Sequence, residues 1–422
     1  MAKKVVIAGG GFAGFNLAKN LGNTNYEVVL IDRDNYIFFP PLLYQVATGF
    51  LEPSSISYPY RKMLRNMPNI HFKMGEIVRI LPDQNIIELN IGKIDYDYLV
   101  LATGTETNYF GLENVRKNAI PMKTINDALD MRNYILKQLE SATTFLHDKE
   151  KLKRTLSIVI AGGGPTGVEI SGMLAEMKAS VLRKDYPEFN NTGVRGDIYL
   201  VDGLPQLLSP MSKKSQENTY NSLKKLGVNI ILNSQVKDYT DGKVILSNGQ
   251  IIETDNLIWT AGVIAQKFEG LPDSYYGRGN RLICDEFNKV KGTENIYAIG
   301  DTCLQTHEAK FAHGHPQVAQ VALQQGKNMS LNFKRMSGQK PIKAFEYNDK
   351  GSMAIIGRNK AVVDIPPGIH FKGFVAWFIW IFIHLVSLVH YRNKITTLYN
   401  WVGSYFTKDQ ALRMLIRPVR KQ

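Results

Sequence analysis

Apolar and polar positions switch between two periods along this chain, and they do so twice in the same order. Residues 4–8 (KVVIA) form a short β-branched run, residues 15–22 (FNLAKNLG) carry apolar positions at helical spacing, and residues 27–32 (EVVLID) return to a strand pattern. Residues 156–161 (LSIVIA), 168–182 (VEISGMLAEMKASVL) and 197–202 (DIYLVD) repeat that plan. Strands alternating with helices predict an α/β fold with parallel sheets covered by helices on both faces. Residues 97–110 (DYLVLATGTETNYF) predict a strand closing one structural unit, and residues 125–148 an amphipathic helix leading into the next. Strand-rich stretches follow at 227–236 and 249–263, and residues 295–301 (NIYAIGD) predict a strand running into a turn.

From about residue 371 the pattern changes. The stretch FKGFVAWFIWIFIHLVSLVHY has no charged residue between Lys372 and Arg392, and three of the four tryptophans (Trp377, Trp380 and Trp401) lie beyond its start. The last 32 residues carry seven Lys or Arg against one acid, so six of the chain's net +13 charges stand beside its most apolar segment. Such a charge calls for an anionic partner. The tail's aromatic residues are packed with aliphatic ones and not interleaved with basic ones, which favours a lipid surface over nucleic acid. The 19 uncharged residues 373–391 are marginally long enough to cross a bilayer, yet they include His384 and His390. Residues 395–416 place Leu398, Trp401, Val402, Tyr405, Leu412 and Ile416 on one helical face. Helices lying in the interface, with aromatic rings at headgroup level, are therefore expected. An intersubunit role for the apolar helix, and with it a homodimer, stays open.

Two cysteines, Cys284 and Cys303, make neither a disulfide framework nor a CxxC pair, and a reducing compartment is expected. The lysines at positions 3 and 4 precede only a short apolar run that breaks into glycines, so a strand is expected there and not a secretion signal.

The two strand-to-helix turns carry the chemistry. Gly9, Gly11 and Gly14 fit GxGxxG, and so do Gly162, Gly164 and Gly167. In that pattern one glycine allows the tight turn, the next lets the backbone approach a pyrophosphate, and the last lets helix and strand pack closely, with the anion on the helix N-terminus. Each turn is followed by a strand ending in an acid, Asp32 or Asp202, placed to hydrogen-bond a ribose hydroxyl. A carboxylate there repels a 2′-phosphate, which favours NADH over NADPH. The longer path to Asp202 requires an insertion, assigned to KDYPEFNNTGVRG. Two dinucleotide sites suggest an electron relay, with a mobile nicotinamide at one and a bound flavin at the other.

Together the first glycine turn with Asp32, ATG at 102–104, GGGPTGVE at 162–169 and YAIGD at 297–301 resemble the two-dinucleotide-binding-domain flavoproteins. Three further stretches are similar to those of type II NADH dehydrogenases, the single-subunit NADH:quinone oxidoreductases. They are FFPPLLYQVATGFLEP (38–53), AQVALQQG (319–326) and the apolar and basic tail from 372 to 407. The resemblance implies two Rossmann-like domains plus a C-terminal amphipathic membrane-binding region, divided as 1–115 and 281–345 for FAD, 116–280 for NADH and 346–422 for the membrane. It implies non-proton-pumping oxidation of NADH, with reduction of menaquinone or ubiquinone at the cytoplasmic face of the inner membrane, the chain being peripherally attached.

On the same resemblance, FAD is expected at Gly9, Gly11, Phe12, Ala13, Gly14, Asp32, Arg33, Thr48, Gly49, Ala102, Thr103, Gly104, Gly300 and Asp301. NADH is expected at Gly162, Gly164, Pro165, Thr166, Gly167, Glu169, Asp202, Ala261 and Gly262. Glu169 corresponds to a glutamate beside the nicotinamide, Gln320 and Gln324 to quinone-motif glutamines, and Lys372 to a lysine near the flavin ring. Each also has a plain structural role to weigh: a first-turn carboxylate on a helix dipole for Glu169, helix-face amides for the glutamines, a snorkelling anchor for Lys372, and turns for Thr48–Gly49 and Ala261–Gly262. Asp202 stands where relatives often carry glutamate, leaving a shorter reach to the ribose. No redox cysteine pair is present, which argues against disulfide and sulfide:quinone reductases. Cys303 is expected as a small packed residue. His307, His313 and His315 lack acidic or thiol partners at ligand spacing, so no metal is expected. The competing readings are a reductase of a soluble acceptor, which the tail disfavours, and a slow membrane-associated flavoprotein sensor.

Overall fold

Lys4–Ala8 lies at the centre of a five-stranded parallel sheet in the order Ile296–Ala298, Tyr98–Leu101, Lys4–Ala8, Glu27–Asp32 and Ile70–Met74. Its run of β-branched residues is there because both faces are covered: Val5, Val6 and Ile7 are wholly buried. The computed structural model describes residues 2–407 and 412–415, and the chain divides into two compact units. The first comprises Met1–Phe38, Tyr58–Glu106 and Val263–Asp349. Within it, helix Phe12–Asn20 packs along helix Ala319–Ser337. Gly326 permits that approach, since a Cβ there would lie 2.5 Å from the Ala13 carbonyl oxygen. An antiparallel meander, Ile77–Leu81, Ile86–Leu89 and Gly92–Asp95, lays Ile80, Ile87, Leu89 and Ile94 onto the sheet residues Val6, Ala8, Leu99 and Leu101.

The second unit comprises Phe39–Ser57, Thr107–Gly262 and Lys350–Gln422. Its parallel sheet runs Ile120–Pro121, Asn256–Trp259, Ile158–Ala161, Ile198–Val201 and Val228–Ile231. The helix expected at 125–148 ends earlier: Ile125–Ala142 starts at a capping box of Thr124 and Asp127, a 3-10 turn follows at Thr143–Phe145, and a separate helix, Lys149–Leu156, is capped by Asp148. The long helix Pro165–Asp185 and the turn Pro187–Asn191 take up the extra residues before Asp202. A second antiparallel meander, Ser352–Gly357, Lys360–Ile365 and Ile369–Lys372, packs on Pro165–Asp185, where Gly172 has no room for a Cβ against the Ile356 carbonyl.

The tail forms helices Gly373–Ser387 and Tyr391–Thr407, and no described helix is long and apolar enough to cross a membrane. In the first, Phe374, Phe378, Phe382 and Val386 are exposed while Ala376, Trp380 and His384 are buried, each set recurring at helical spacing. Trp380 stacks on His384 at 3.9 Å between centroids, and burial pushes the His384 imidazole down to about 4. The expectation of aromatic rings at headgroup level thus fails for two tryptophans. Trp380 and Trp401 face protein, 5.8 Å apart, and the Trp401 indole donates to Gln45 Oε1 at 2.7 Å. The single helical face expected over 395–416 is also corrected. The helix is described as far as Thr407, Leu412 lies in irregular chain, and residues 408–411 and Ile416 lie outside the described residues. Asn393 anchors the second tail helix by donating to the carbonyls of Ser54, Ser55 and Ser57 at 3.0–3.1 Å.

Candidate functional site: two glycine cradles and their surroundings

The first glycine turn begins where Gly9 N–H donates to Ile31 O at 2.8 Å. Gly9 has φ +103°, and a Cβ would drive into the Ala102 carbonyl. Gly14 has no room for a Cβ against the Gly9 carbonyl, whereas Gly11 opens onto free space as the N-cap of Phe12–Asn20, with no side chain capping that helix. The first-turn N–H groups of a helix lack intrahelical acceptors and suit an anion. Asp32 accepts from Gly10 N–H at 2.6 Å through one oxygen and from Asp34 N–H at 2.9 Å through the other. Burial raises the Asp32 carboxyl above its ordinary range, and those two N–H groups oppose the shift. A cavity of about 190 Å³ is lined by Gly9, Asp32, Arg33, Glu76, Thr103 and Gly104.

Residues absent from the sequence reading hold this cradle together. Tyr60 donates its hydroxyl to Gly10 O at 2.9 Å, and Thr302 Oγ1 accepts from Gly104 N–H at 3.0 Å. Gln325 Oε1 accepts from Gly300 N–H at 2.7 Å, and Gln317 donates to Asp301 O at 3.0 Å. No local signal marks them, although Gln325 lies inside AQVALQQG. Of the two glutamines singled out in that stretch, Gln324 has its amide engaged at both ends by the Asn348 backbone, at 2.9 and 3.0 Å. Gln320 lies on the same helix, half-buried. Cys303 is buried in the core cluster beneath and accepts from Asn288 at 3.5 Å. Glu308 proves to be a partner for the histidines after all, taking a 2.7 Å bond from His315 Nε2, while His307 lies 2.9 Å from Phe345 O. Among the described residues no group of three or more His, Cys, Asp or Glu is placed to hold a metal ion.

The second turn repeats the first atom for atom in its main features. Gly162 N–H donates to Val201 O at 2.8 Å with φ +112°, and Gly167 has no room for a Cβ against the Gly162 carbonyl. Gly164 opens onto free space as N-cap, followed by Pro165 in the first turn and the exposed Thr166. Asp202 accepts from Gly163 N–H and, at 2.7 Å, from Leu204 N–H. A cavity of about 380 Å³ opens beside it, lined by Gly162, Asp202, Gly203, Lys237, Trp259 and Ala261 among others. Gly262 accepts from Asn108 N–H at 3.0 Å, and the Phe110 ring fills the space a Cβ would need. Both cradles therefore fit a dinucleotide: glycine where a side chain would block the backbone, an uncapped helix start, and a carboxylate already oriented.

Glu169 is the fifth residue of Pro165–Asp185 and so lies past the first turn, against the first-turn expectation; it is buried among unit-two residues and accepts from Ile355 N–H, and burial holds its carboxyl well above the usual range. Burial pushes the Tyr44 phenol well up, and an ionised Glu169 adds to the shift. Tyr44 accepts from Gln45 Nε2 at 2.8 Å, and Gln45 in turn accepts from Trp401, so a polar thread runs from beside Glu169 to the second tail helix. Thr48, buried at the end of Leu43–Ala47, donates to Tyr44 O at 2.9 Å, with Gly49 at φ +70° after it. Lys372 is exposed at the end of its strand, and among the described residues no ion pair joins it to Glu169.

Residues 3–326 match the model of the pyridine nucleotide-disulphide oxidoreductases, and residues 350–408 match the NDH2 C-terminal domain. A type II NADH:quinone oxidoreductase of Mycobacterium tuberculosis is 34% identical over 96% of this chain and 88% of its own length. One from Haemophilus influenzae is 30% identical over 85% of this chain and 86% of its own. The structure of NDH2 from Plasmodium falciparum in complex with NADH superimposes with a TM-score of 0.90 at 23% identity, covering 99% of this chain and 100% of that one. Sulfide:quinone oxidoreductase of Aquifex aeolicus reaches 0.72 at 21% identity, over 97% and 96% of the two chains. The chain belongs to the pyridine nucleotide-disulphide oxidoreductases and, among them, to the type II NADH:quinone oxidoreductase family.

Proposed function

We propose that this protein oxidises NADH and reduces a membrane quinone to the quinol, consuming one proton from solvent besides the hydride. The observation that carries the reading is the pair of near-identical cradles on separate sheets, each with its own oriented carboxylate, of which only the second is followed by a buried glutamate. FAD, when bound, supplies a ring that accepts hydride and yields its electrons to a quinone. The backbone of Gly9–Gly14, with Asp32, Asp301 and the turns at Ala102–Gly104 and Gly300, holds that group. Gly162–Gly167 and Asp202 hold NADH, with Ala261 on the wall of the adjoining cavity facing its nicotinamide half; Gly262, covered by the Phe110 ring, takes part only if that ring moves. Burial of Glu169 favours the protonated form of its carboxyl, next to Tyr44. Gln320 and Lys372 are assigned to the quinone and flavin sides. Gln324 first has to release Asn348, and we give it the weaker part.

The exposed phenylalanines of Gly373–Ser387 and the basic tail support peripheral attachment to a membrane surface; we take that surface to be the cytoplasmic face of the inner membrane, with menaquinone or ubiquinone as the acceptor. A homodimer is compatible with the same apolar surface. Steady-state assay of the FAD-loaded protein with NADH and a short-chain quinone tests the reading. A turnover of about 10 per second or faster is expected, and turnover slower by orders of magnitude would leave the sensor reading in its place.

A further inference from the structure

Phe110 is a large apolar side chain left 61% exposed, on a backbone at φ +52°, the left-handed region that a bulky residue rarely enters. Strain of this kind persists only where the surroundings impose it, and it gathers at ligand clamps and switches. The turn that imposes it is pinned at its base. Asn108 N–H donates to Gly262 O at 3.0 Å, the Trp259 indole donates to Asn108 O at 2.8 Å, and Asn108 Oδ1 accepts from Phe110 N–H at 2.8 Å. Gly111, at φ +77°, completes the tip, and Leu112 N–H returns to Tyr109 O at 2.9 Å. The main chain is thus fixed, while the Phe110 ring stands out from it and meets Trp259 edge-on at 6.4 Å between centroids. An exposed ring so lightly held changes rotamer readily.

That ring lies over Gly262. A Cβ on this glycine would stand 2.6 Å from Phe110 Cζ, and its three nearest atoms would all belong to the ring. The Gly262 backbone is not left-handed and does not itself call for glycine. What the missing side chain leaves is room, and the ring takes it. The same ring lines the cavity of about 380 Å³ whose walls include Gly162, Asp202 and Ala261, all of them in the second unit. The room over Gly262 serves either the ring or a nucleotide laid along Ala261 and Gly262, and not both at once.

We propose that Phe110 is a positioning residue that gates the second cradle: its ring swings off Gly262 to admit the dinucleotide and then packs on the seated nicotinamide half. The proposal rests on the reading of Gly162–Gly167 and Asp202 as the NADH cradle. A ring over the site divides the association rate by the fraction of time it stands aside. A ring packed on the seated ligand, face to flat face, slows its escape. Removing the ring therefore speeds entry and release together and changes affinity less than either rate. A plain wall would speed release alone, and a plain obstruction entry alone.

The test is stopped-flow tryptophan fluorescence, with Trp259 on the cavity wall as reporter, of the FAD-loaded full chain mixed with tetrahydronicotinamide adenine dinucleotide. The saturated ring of this NADH analogue gives no hydride, so the readout is binding and not turnover. Wild type is expected to bind the analogue and D202A to bind it more weakly. F110A should raise the association and dissociation rates each by about fivefold or more, while F110Y, which keeps the ring, should hold both within about twofold of wild type. Unchanged rates in F110A, or a rise in only one of them, would overturn the gate and leave the cradle reading standing. No binding in wild type, or binding indifferent to D202A, would overturn the cradle reading and the gate with it. Should F110A fail to fold, F110L, whose side chain lacks the Cζ that reaches Gly262, decides on the same two rates.

Discussion

Asp202 is committed before any ribose arrives, because Gly163 and Leu204 N–H groups already fix both of its oxygens. The carboxylate shapes the loop and keeps lone pairs for a ligand hydroxyl, which a shorter side chain can do when the backbone brings the glycines to it. Asp202→Ala removes a charge-assisted hydrogen bond, worth about 1.5–3 kcal/mol. The KM for NADH should rise about tenfold to a hundredfold, and preference over NADPH should shrink, as measured in parallel titrations of the two nucleotides. Glu169 makes a separate prediction through its proton. Burial raises its native pKa, so between the ordinary glutamate range and that raised value the native state binds a proton that the unfolded chain releases. Stability from this group is therefore complete at low pH and lost as pH rises, with a slope of at most about 1.4 kcal/mol per pH unit. Glu169→Gln should remove that slope: unfolding midpoints of variant and wild type converge in acid and separate at alkaline pH, the variant being the more stable. Parallel curves would mean that Glu169 is ionised in the native protein.

At the scale of elements, the tail helix Gly373–Ser387 does two jobs on two faces. Trp380 and His384 close the unit's interior, while Phe378 and Phe382 are 60% and 59% exposed. Cutting the tail off would uncover a core, so surface charge is the cleaner probe of attachment. Phe378→Glu with Phe382→Glu should cut sedimentation with anionic vesicles at least tenfold, while turnover with a water-soluble quinone stays within about twofold. Equal loss of both would assign the face to folding or catalysis instead.

The elements differ in how openly the chain announces them. Both strand–turn–helix cradles were legible, because the glycines, the β-branched strand and the terminal acid are close in sequence and each has one physical reason to be there. The meander at Ser352–Lys372 was not. Two of its strands, Ser352–Gly357 and Lys360–Ile365, are buried mainly by the helix and tail packed on them, so no clean alternation marks them. Thr302 and Gln325 stayed hidden for another reason. Thr302 serves Gly104 across 198 residues, and such a partnership is written only in three dimensions. Trp380 and Trp401 were misread as surface anchors, since an apolar helix does not say from its composition which side meets lipid and which meets protein.

For the molecule as a whole, the duplicated cradle gives electrons a direction only if the two copies hold different things, a resident flavin at Gly9–Gly14 and a visiting NADH at Gly162–Gly167. The measurement that tests this most directly is anaerobic rapid mixing of the FAD-loaded protein with NADH, recording flavin absorbance, followed by a second mix with a short-chain quinone. The account predicts rapid bleaching on the first mix and full recovery on the second, with Asp202→Ala slowing only the first at low NADH. Flavin that remains oxidised in the presence of NADH, or bleaches and does not recover with quinone, would contradict it.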